Sequence, residues 1–149
     1  MIAVHVDRVI KDGDAVSLGG VTLRALWVPG HTQGATMWIT TVSEGEKNCS
    51  VAFRGGETPN EGVQLIGNPR HPKVIEDTKM TLQRMKALQP PDLFLHNHRQ
   101  NLDRPLNPAL PVNPLCVTCM DAEAYKAMVA SAEASFAARI RDAEAQLKK

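Results

Sequence analysis

Val28-Pro-Gly-His-Thr-Gln-Gly34 is the stretch on which the reading of this chain turns. It comes directly after Val21 to Val28, a run that reads as a strand, and its glycines permit a sharp turn. A histidine held between Gly30 and Gly34 at a strand end is well placed as a ligand. Imidazole is the commonest protein ligand for zinc, and strand-end loops are where rigid scaffolds present such groups. A histidine in a glycine-rich turn also serves simply as a hydrogen-bonded loop residue, and spacing alone does not choose between the two.

Upstream, Lys11-Asp-Gly-Asp14 and Gly19-Gly20 are turn signals, and a first strand, Val16 to Leu18, lies between them. Downstream, Thr36 to Val42 and Ser50 to Phe53 read as strands joined by a polar hairpin loop over 43–48. Residues 54–70 are rich in Gly, Pro and Asn and read as a long loop, a feature more often functional than idle in a small domain. Pro72 suits the first turn of a helix. Val74, Thr78, Leu82, Met85 and Leu88 then recur at helical spacing until Pro90-Pro91 stops it. Asp92 to Leu95 reads as a short buried strand, and 99–120 as extended and irregular. Asp121 is a good N-cap for a last helix over 121–147. Tyr125, Met128, Val129, Ala132, Phe136, Ile140, Ala143 and Leu147 form its apolar stripe, and Lys126, Glu133, Arg141 and Lys148 its polar side. The chain is therefore expected to form one domain over 1–149, with strands over 1–53, the loop over 54–70 and a helix and strand over 71–98. The expected class is α/β in the layered, α+β sense.

Two further segments could carry chemistry. In Leu95-His96-Asn97-His98 the histidines are two apart, so in an extended chain they point in opposite directions. Only one of them can easily share a site with His31. Cys116-Val-Thr-Cys119 has zinc or redox spacing, but a single C-x-x-C without a second pair is a weak signal, and two idle thiols are the plainer reading. Cys49 falls in a strand pattern and is assigned to the core. Glu57 and Glu61 are the loop carboxylates of interest, while Glu76 and Asp77 are placed on a solvated helix face. Arg70 and His71, just before that helix, could meet an anion near its N-terminus.

The bulk properties exclude more than they assign. At 149 residues with 43% hydrophobic and 22% charged content, the chain has the composition of an ordinary globular domain. A net charge of +1, with acids and bases interspersed, gives no footprint for nucleic acid. No apolar run approaches the roughly 20 residues of a membrane helix. Met1-Ile-Ala-Val-His-Val-Asp-Arg reaches charge too soon for a signal peptide, so the chain as given is expected to be either cytoplasmic or a mature fragment of something longer. Three cysteines make a closed disulfide framework unexpected.

Together these pieces resemble a known family. Pro29-Gly-His-Thr-Gln-Gly34 after an Asp-Gly-Asp turn resembles the third metal motif of the metallo-β-lactamase superfamily. Gln64-Leu-Ile-Gly-Asn-Pro-Arg-His-Pro-Lys-Val-Ile-Glu-Asp77 is similar to the subclass B3 β-lactamases in particular, and Asp92-Leu-Phe-Leu-His-Asn-His98 to that family's last metal motif. The likeness runs from about Val4 to Leu102 and more weakly through the last helix. It implies the C-terminal half of an αβ/βα sandwich, a mixed sheet with helices on one face, and zinc at the strand ends. By resemblance His31 would serve one zinc and His98 the other, and His96 is kept as a further candidate ligand. A zinc-bound hydroxide would attack an amide or ester carbonyl of a small-molecule substrate. Thr58 falls where B3 enzymes place a serine that meets substrate, and Gly56 where many superfamily hydrolases carry a bridging Asp. Asn97 is placed on the substrate side, and Cys116 with Cys119 is a possible secondary metal pair.

The departures from the family are as informative. Its H-x-H-x-D-H motif belongs to the other half, and no such string exists in this sequence. A half-sandwich also leaves one sheet face without a partner, which a symmetric homodimer or higher homo-oligomer would cover. The expected function is a zinc-dependent hydrolase with a reduced site, acting on a β-lactam or, alternatively, a phosphoester. The rival expectations are an inactive half-domain and a zinc-holding structural module.

Overall fold

The computed structural model describes residues 5–96 and 122–148. Four strands follow one another as an antiparallel meander: β1 (Ala15–Leu18), β2 (Val21–Trp27), β3 (Thr36–Glu44) and β4 (Lys47–Arg54). Helix α1 (Val74–Ala87) then carries the chain back so that β5 (Leu93–His96) adds parallel to β4, and α2 (Ala122–Gln146) closes the described part. The sheet is mixed, in the order β1-β2-β3-β4-β5.

Turn chemistry sets the register. Leu18 pairs with Val21 across Gly19 and Gly20, both at positive φ, as a two-residue I′ hairpin demands. The second hairpin is tighter than the sequence suggested. Gly45, at φ 60°, allows a two-residue turn, so Ser43 and Asn48 are strand partners rather than loop residues. The Ser43 hydroxyl donates to Asn48 Oδ1 at 2.6 Å across them.

Helix α1 begins as the apolar spacing predicts and buries Val74, Thr78, Thr81, Leu82 and Met85. Glu76 and Asp77 in its first turn and Arg84 and Lys86 in its last complement the helix dipole. It ends at Ala87, and the extended Leu88 leads towards the two prolines. Along α2 only Tyr125, Val129 and Phe136 are fully buried, and Leu147, assigned to the stripe, is 68% exposed. The stripe outruns the helical surface that has anything to cover it.

Both helices lie on one face of the sheet. Met37, Ala52 and Phe94 from the strands meet Met85 of α1 and Tyr125 and Val129 of α2 in the main core. A second cluster of Leu65, Val74, Leu82 and Phe136 ties the long loop to both helices. Burying side chains of this size contributes about 1.5–3 kcal/mol each. Strand alternation sends Val16, Leu18, Val21, Trp27, Val42 and Phe53 to the opposite face, where they are 36–85% exposed. Cys49, expected in the core, also points there and is only half buried. Among the described residues no helix is long and apolar enough to cross a membrane.

Candidate functional site

Strands β2, β4 and β5 run in the same direction, so their C-terminal ends meet at one edge of the sheet. His31 follows β2, residues 55–61 follow β4, and His96 ends β5. Arg54 and His96 are register partners in the parallel pair. A cleft of about 600 Å³ opens at this edge, lined by His31, Arg54, Gly56, Thr58, His96 and Arg139 among others.

The His31 turn is built from three sides. Its own backbone closes through Val28 N–H to the Ala35 carbonyl at 2.9 Å and Gly30 N–H to the Thr32 carbonyl at 3.1 Å. Helix α1 presses on Gly30, where an added Cβ would lie 2.8 Å from Thr78 Oγ1 and 3.0 Å from Thr78 Cα. The Thr81 hydroxyl donates to the Pro29 carbonyl in a short buried bond. From the long loop the Thr58 carbonyl accepts a hydrogen bond from His31 Nδ1 at 2.9 Å. A carbonyl can only accept, so Nδ1 carries the proton and neutral His31 keeps its lone pair on Nε2. This is the usual arrangement of a metal-ligating imidazole, in which one ring nitrogen is held so that the other can bind.

Gly56 lies against the flat of that ring. A Cβ there would come within 2.4 Å of His31 Nδ1 and 2.5 Å of Cγ. The position that resemblance associates with a bridging carboxylate is therefore too close to His31 for any side chain unless the ring moves. Thr58 lines the cleft as expected, but it is its backbone carbonyl that meets His31.

Beneath the cleft sits a largely buried ion pair. Arg54 and Glu57 are in short contact with side chains 13% and 16% exposed. Arg54 also lies 5.2 Å from the Phe94 ring centroid and donates to Met128 Sδ at 3.3 Å. Its Nε is buried without a hydrogen-bond partner among the described residues. Tyr125 meets Phe94 edge-on at 5.1 Å, and its hydroxyl donates to the Met85 carbonyl at 2.9 Å. Burial, the dominant cause, pushes the Tyr125 phenol up to about 12.

His71 and Asp77 depart from the sequence reading. His71 Nε2 lies 2.7 Å from Asp77 Oδ2, with both side chains mostly buried. The pair staples the loop to α1, so Asp77 is not a solvated-face residue and the His71 ring is directed at a carboxylate instead of an incoming anion. Glu61 is exposed and, like Glu57, lines the cleft. His98, Asn97, Cys116, Cys119 and the proposed Asp121 cap lie outside the described residues.

No protein-family model matches the chain. Solved structures do. The subclass B3 metallo-β-lactamase of Bradyrhizobium japonicum superposes with a TM-score of 0.79 at 29% identity, covering 98% of this chain and 55% of its own. The chain has a B3-like metallo-β-lactamase fold. A β-lactamase from Chitinophaga pinensis gives 0.78 at 28% identity over 94% of this chain and 52% of its own. The native metallo-β-lactamase from Legionella gormanii gives 0.75 at 27% over 96% and 54%. The chain thus spans about half the length of the solved proteins it matches, and its mixed sheet with two helices matches a half of their fold.

Of the residues singled out in the sequence, the structure brings His31, His96, Gly56 and Thr58 to one cleft. Among the described residues, no group of three or more His, Cys, Asp or Glu side chains is placed to hold a metal ion. Arg54 and Arg139 are cleft residues that sequence reading missed, and Arg139 left a signal. Arg139 lies three residues after Phe136 and seven after Ala132, on the flank of the apolar stripe, and a lone arginine at a helical contact position is the signal that could have found it.

Proposed function

We propose that the chain supplies one half of a zinc-dependent hydrolase site and becomes competent when a second copy closes over its open sheet face. The observation that carries this is His31, its Nδ1 committed to the Thr58 carbonyl, facing the same cleft as His96. Two imidazoles suit zinc but fall short of the three protein donors that a catalytic zinc takes with water. His98 is the further donor this reading calls for. Zinc, when bound, would supply Lewis-acid polarisation of a carbonyl and acidify water. The chain's own part is to hold imidazole lone pairs at the sheet edge, with Thr58 and Asn97 on the substrate side.

The apolar face of Val16, Leu18, Val21, Trp27, Val42 and Phe53 supports self-association. An isologous contact would cover both copies at once. Crowding of Gly56 against His31 favours a β-lactam or other amide over a phosphoester, since the carboxylate carried there by many other superfamily hydrolases has no room. A half-domain that binds zinc weakly and turns nothing over is the second reading, favoured by the lack of a three-donor group among the described residues.

Native mass spectrometry of protein purified without added metal, then offered zinc, tests the proposal. A zinc-loaded dimer that hydrolyses a chromogenic cephalosporin, and loses both metal and turnover in His31→Ala and His98→Ala, is the expected result. Turnover that survives both substitutions would come from elsewhere. A metal-free monomer at every zinc concentration would leave the inactive half-domain.

A further inference from the structure

We infer that Arg139, on α2, is a positioning residue that sets the imidazole of His31 without touching it. Its guanidinium donates through Nη1 to the Pro59 carbonyl at 2.6 Å and through Nη2 to the Asn60 carbonyl at 2.9 Å. Those two residues directly follow Thr58, whose carbonyl accepts from His31 Nδ1. The last helix therefore clasps the loop at the point where the loop clasps the histidine. Gly56, two residues before Thr58, lies against the flat of the same ring, where a side chain would have no room.

Arginine suits this task for a physical reason. Its planar fork presents two fixed N–H vectors, so neighbouring carbonyls in a segment without its own ladder can be bound together. Residues 55–73 contain no strand or helix, and the loop must be held by side chains. Arg54–Glu57 holds its start, buried Leu65 and the Asn68 side chain hold its second half, His71–Asp77 holds its end, and the two Arg139 bonds fall on the residues next to Thr58. Pro59 is buried, consistent with a fixed rather than wandering position. Loosening the clasp frees the Thr58 carbonyl to drift, and with it the preference of His31 for the Nδ1–H tautomer.

The inference deepens the reading of His31 as a zinc ligand, and its first readout is independent of zinc. Nitrogen-15 NMR of the His31 ring, in metal-free full-length protein at a pH where the ring is neutral, should show one Nδ1–H tautomer in wild type. Arg139→Gln should give a tautomer mixture, Arg139→Lys a partial one, and Arg141→Gln, on the polar side of the same helix, none. If wild type binds zinc, the Arg139→Gln affinity should fall about 10-fold or more, the usual effect of removing outer support from a ligand. An unchanged single tautomer in a folded Arg139→Gln or Arg139→Lys protein would overturn the inference. Should the glutamine variant fail to fold, the lysine variant decides. Absence of zinc binding in wild type would instead count against the hydrolase reading alone, since the tautomer signals remain readable.

Discussion

Replacing Gly56 with alanine separates the proposed ligand geometry from mere loop packing. The added methyl would stand 2.4 Å from His31 Nδ1, 2.5 Å from Cγ and 2.9 Å from Cε1, so the ring must retreat by roughly 1 Å to restore ordinary contact. Two responses compete. If the backbone yields, the cost is that of overpacking, about 1–3 kcal/mol. If the imidazole swings into the cleft it borders, the cost is chiefly the lost bond to the Thr58 carbonyl, about 0.5–1.5 kcal/mol. The cleft is open and the ring only half buried, so the second response wins. The expected stability loss is about 1 kcal/mol, roughly 2–4 °C in Tm for a chain of this size. Zinc affinity should fall more steeply, about 10–100-fold, because the lone pair is no longer aimed. Thermal melts beside zinc titrations of the same samples give both numbers. A variant that melts like wild type, binds zinc like wild type and keeps the His31 Nδ1–H signal would refute the argument.

Three other outcomes follow from the packing. Gly30→Ala should cost more than Gly56→Ala, about 2–4 kcal/mol, since at φ 142° the new Cβ meets the α1 backbone as well as Thr78 Oγ1, and denaturant unfolding will show it. Tyr125 is the chain's single tyrosine, so ultraviolet titration reads it alone. Its ionisation should wait until about 12, and because the folded value is raised, its contribution is whole below about pH 10 and is lost as pH climbs towards 12. Asp92 accepts from the Ser50 hydroxyl at 2.6 Å and from Ser50 N–H at 2.7 Å, and those bonds hold its carboxyl below the ordinary value. Asp92→Asn should therefore destabilise at neutral pH, and its deficit against wild type should shrink as pH falls through the folded value, as pH-resolved urea melts would reveal.

Much of the architecture could be read locally, because the deciding residues are neighbours in sequence. The Gly19-Gly20 turn, the 3.6-residue spacing from Val74 to Met85 and the glycine-flanked His31 each carry their geometry within a few positions. What escaped was set by contacts across the chain. The 43–48 hairpin loop closed to two residues because Gly45 takes positive φ, which composition alone does not require. Asp77 looked like a solvated helix residue until His71 folded over it. Gly56 reads in sequence as a missing ligand, whereas the fold makes it the floor of the His31 ring. The two arginines of the site share this property: neither Arg54 nor Arg139 belongs to a motif, and each is defined by partners distant in sequence, Phe94 and Met128 for Arg54 and Pro59 and Asn60 for Arg139.

The clasp between the last helix and the loop also fixes an order of events. Pro59 and Arg139 are 80 positions apart, so at a synthesis rate of about 5–20 residues per second the loop waits roughly 4–16 s on the ribosome for its fastening. During that interval the strands and α1 can already pair, while the histidine turn is shaped but unlocked. Maturation of the cleft thus waits for the synthesis of α2, and anything that strains that helix would be felt first at His31.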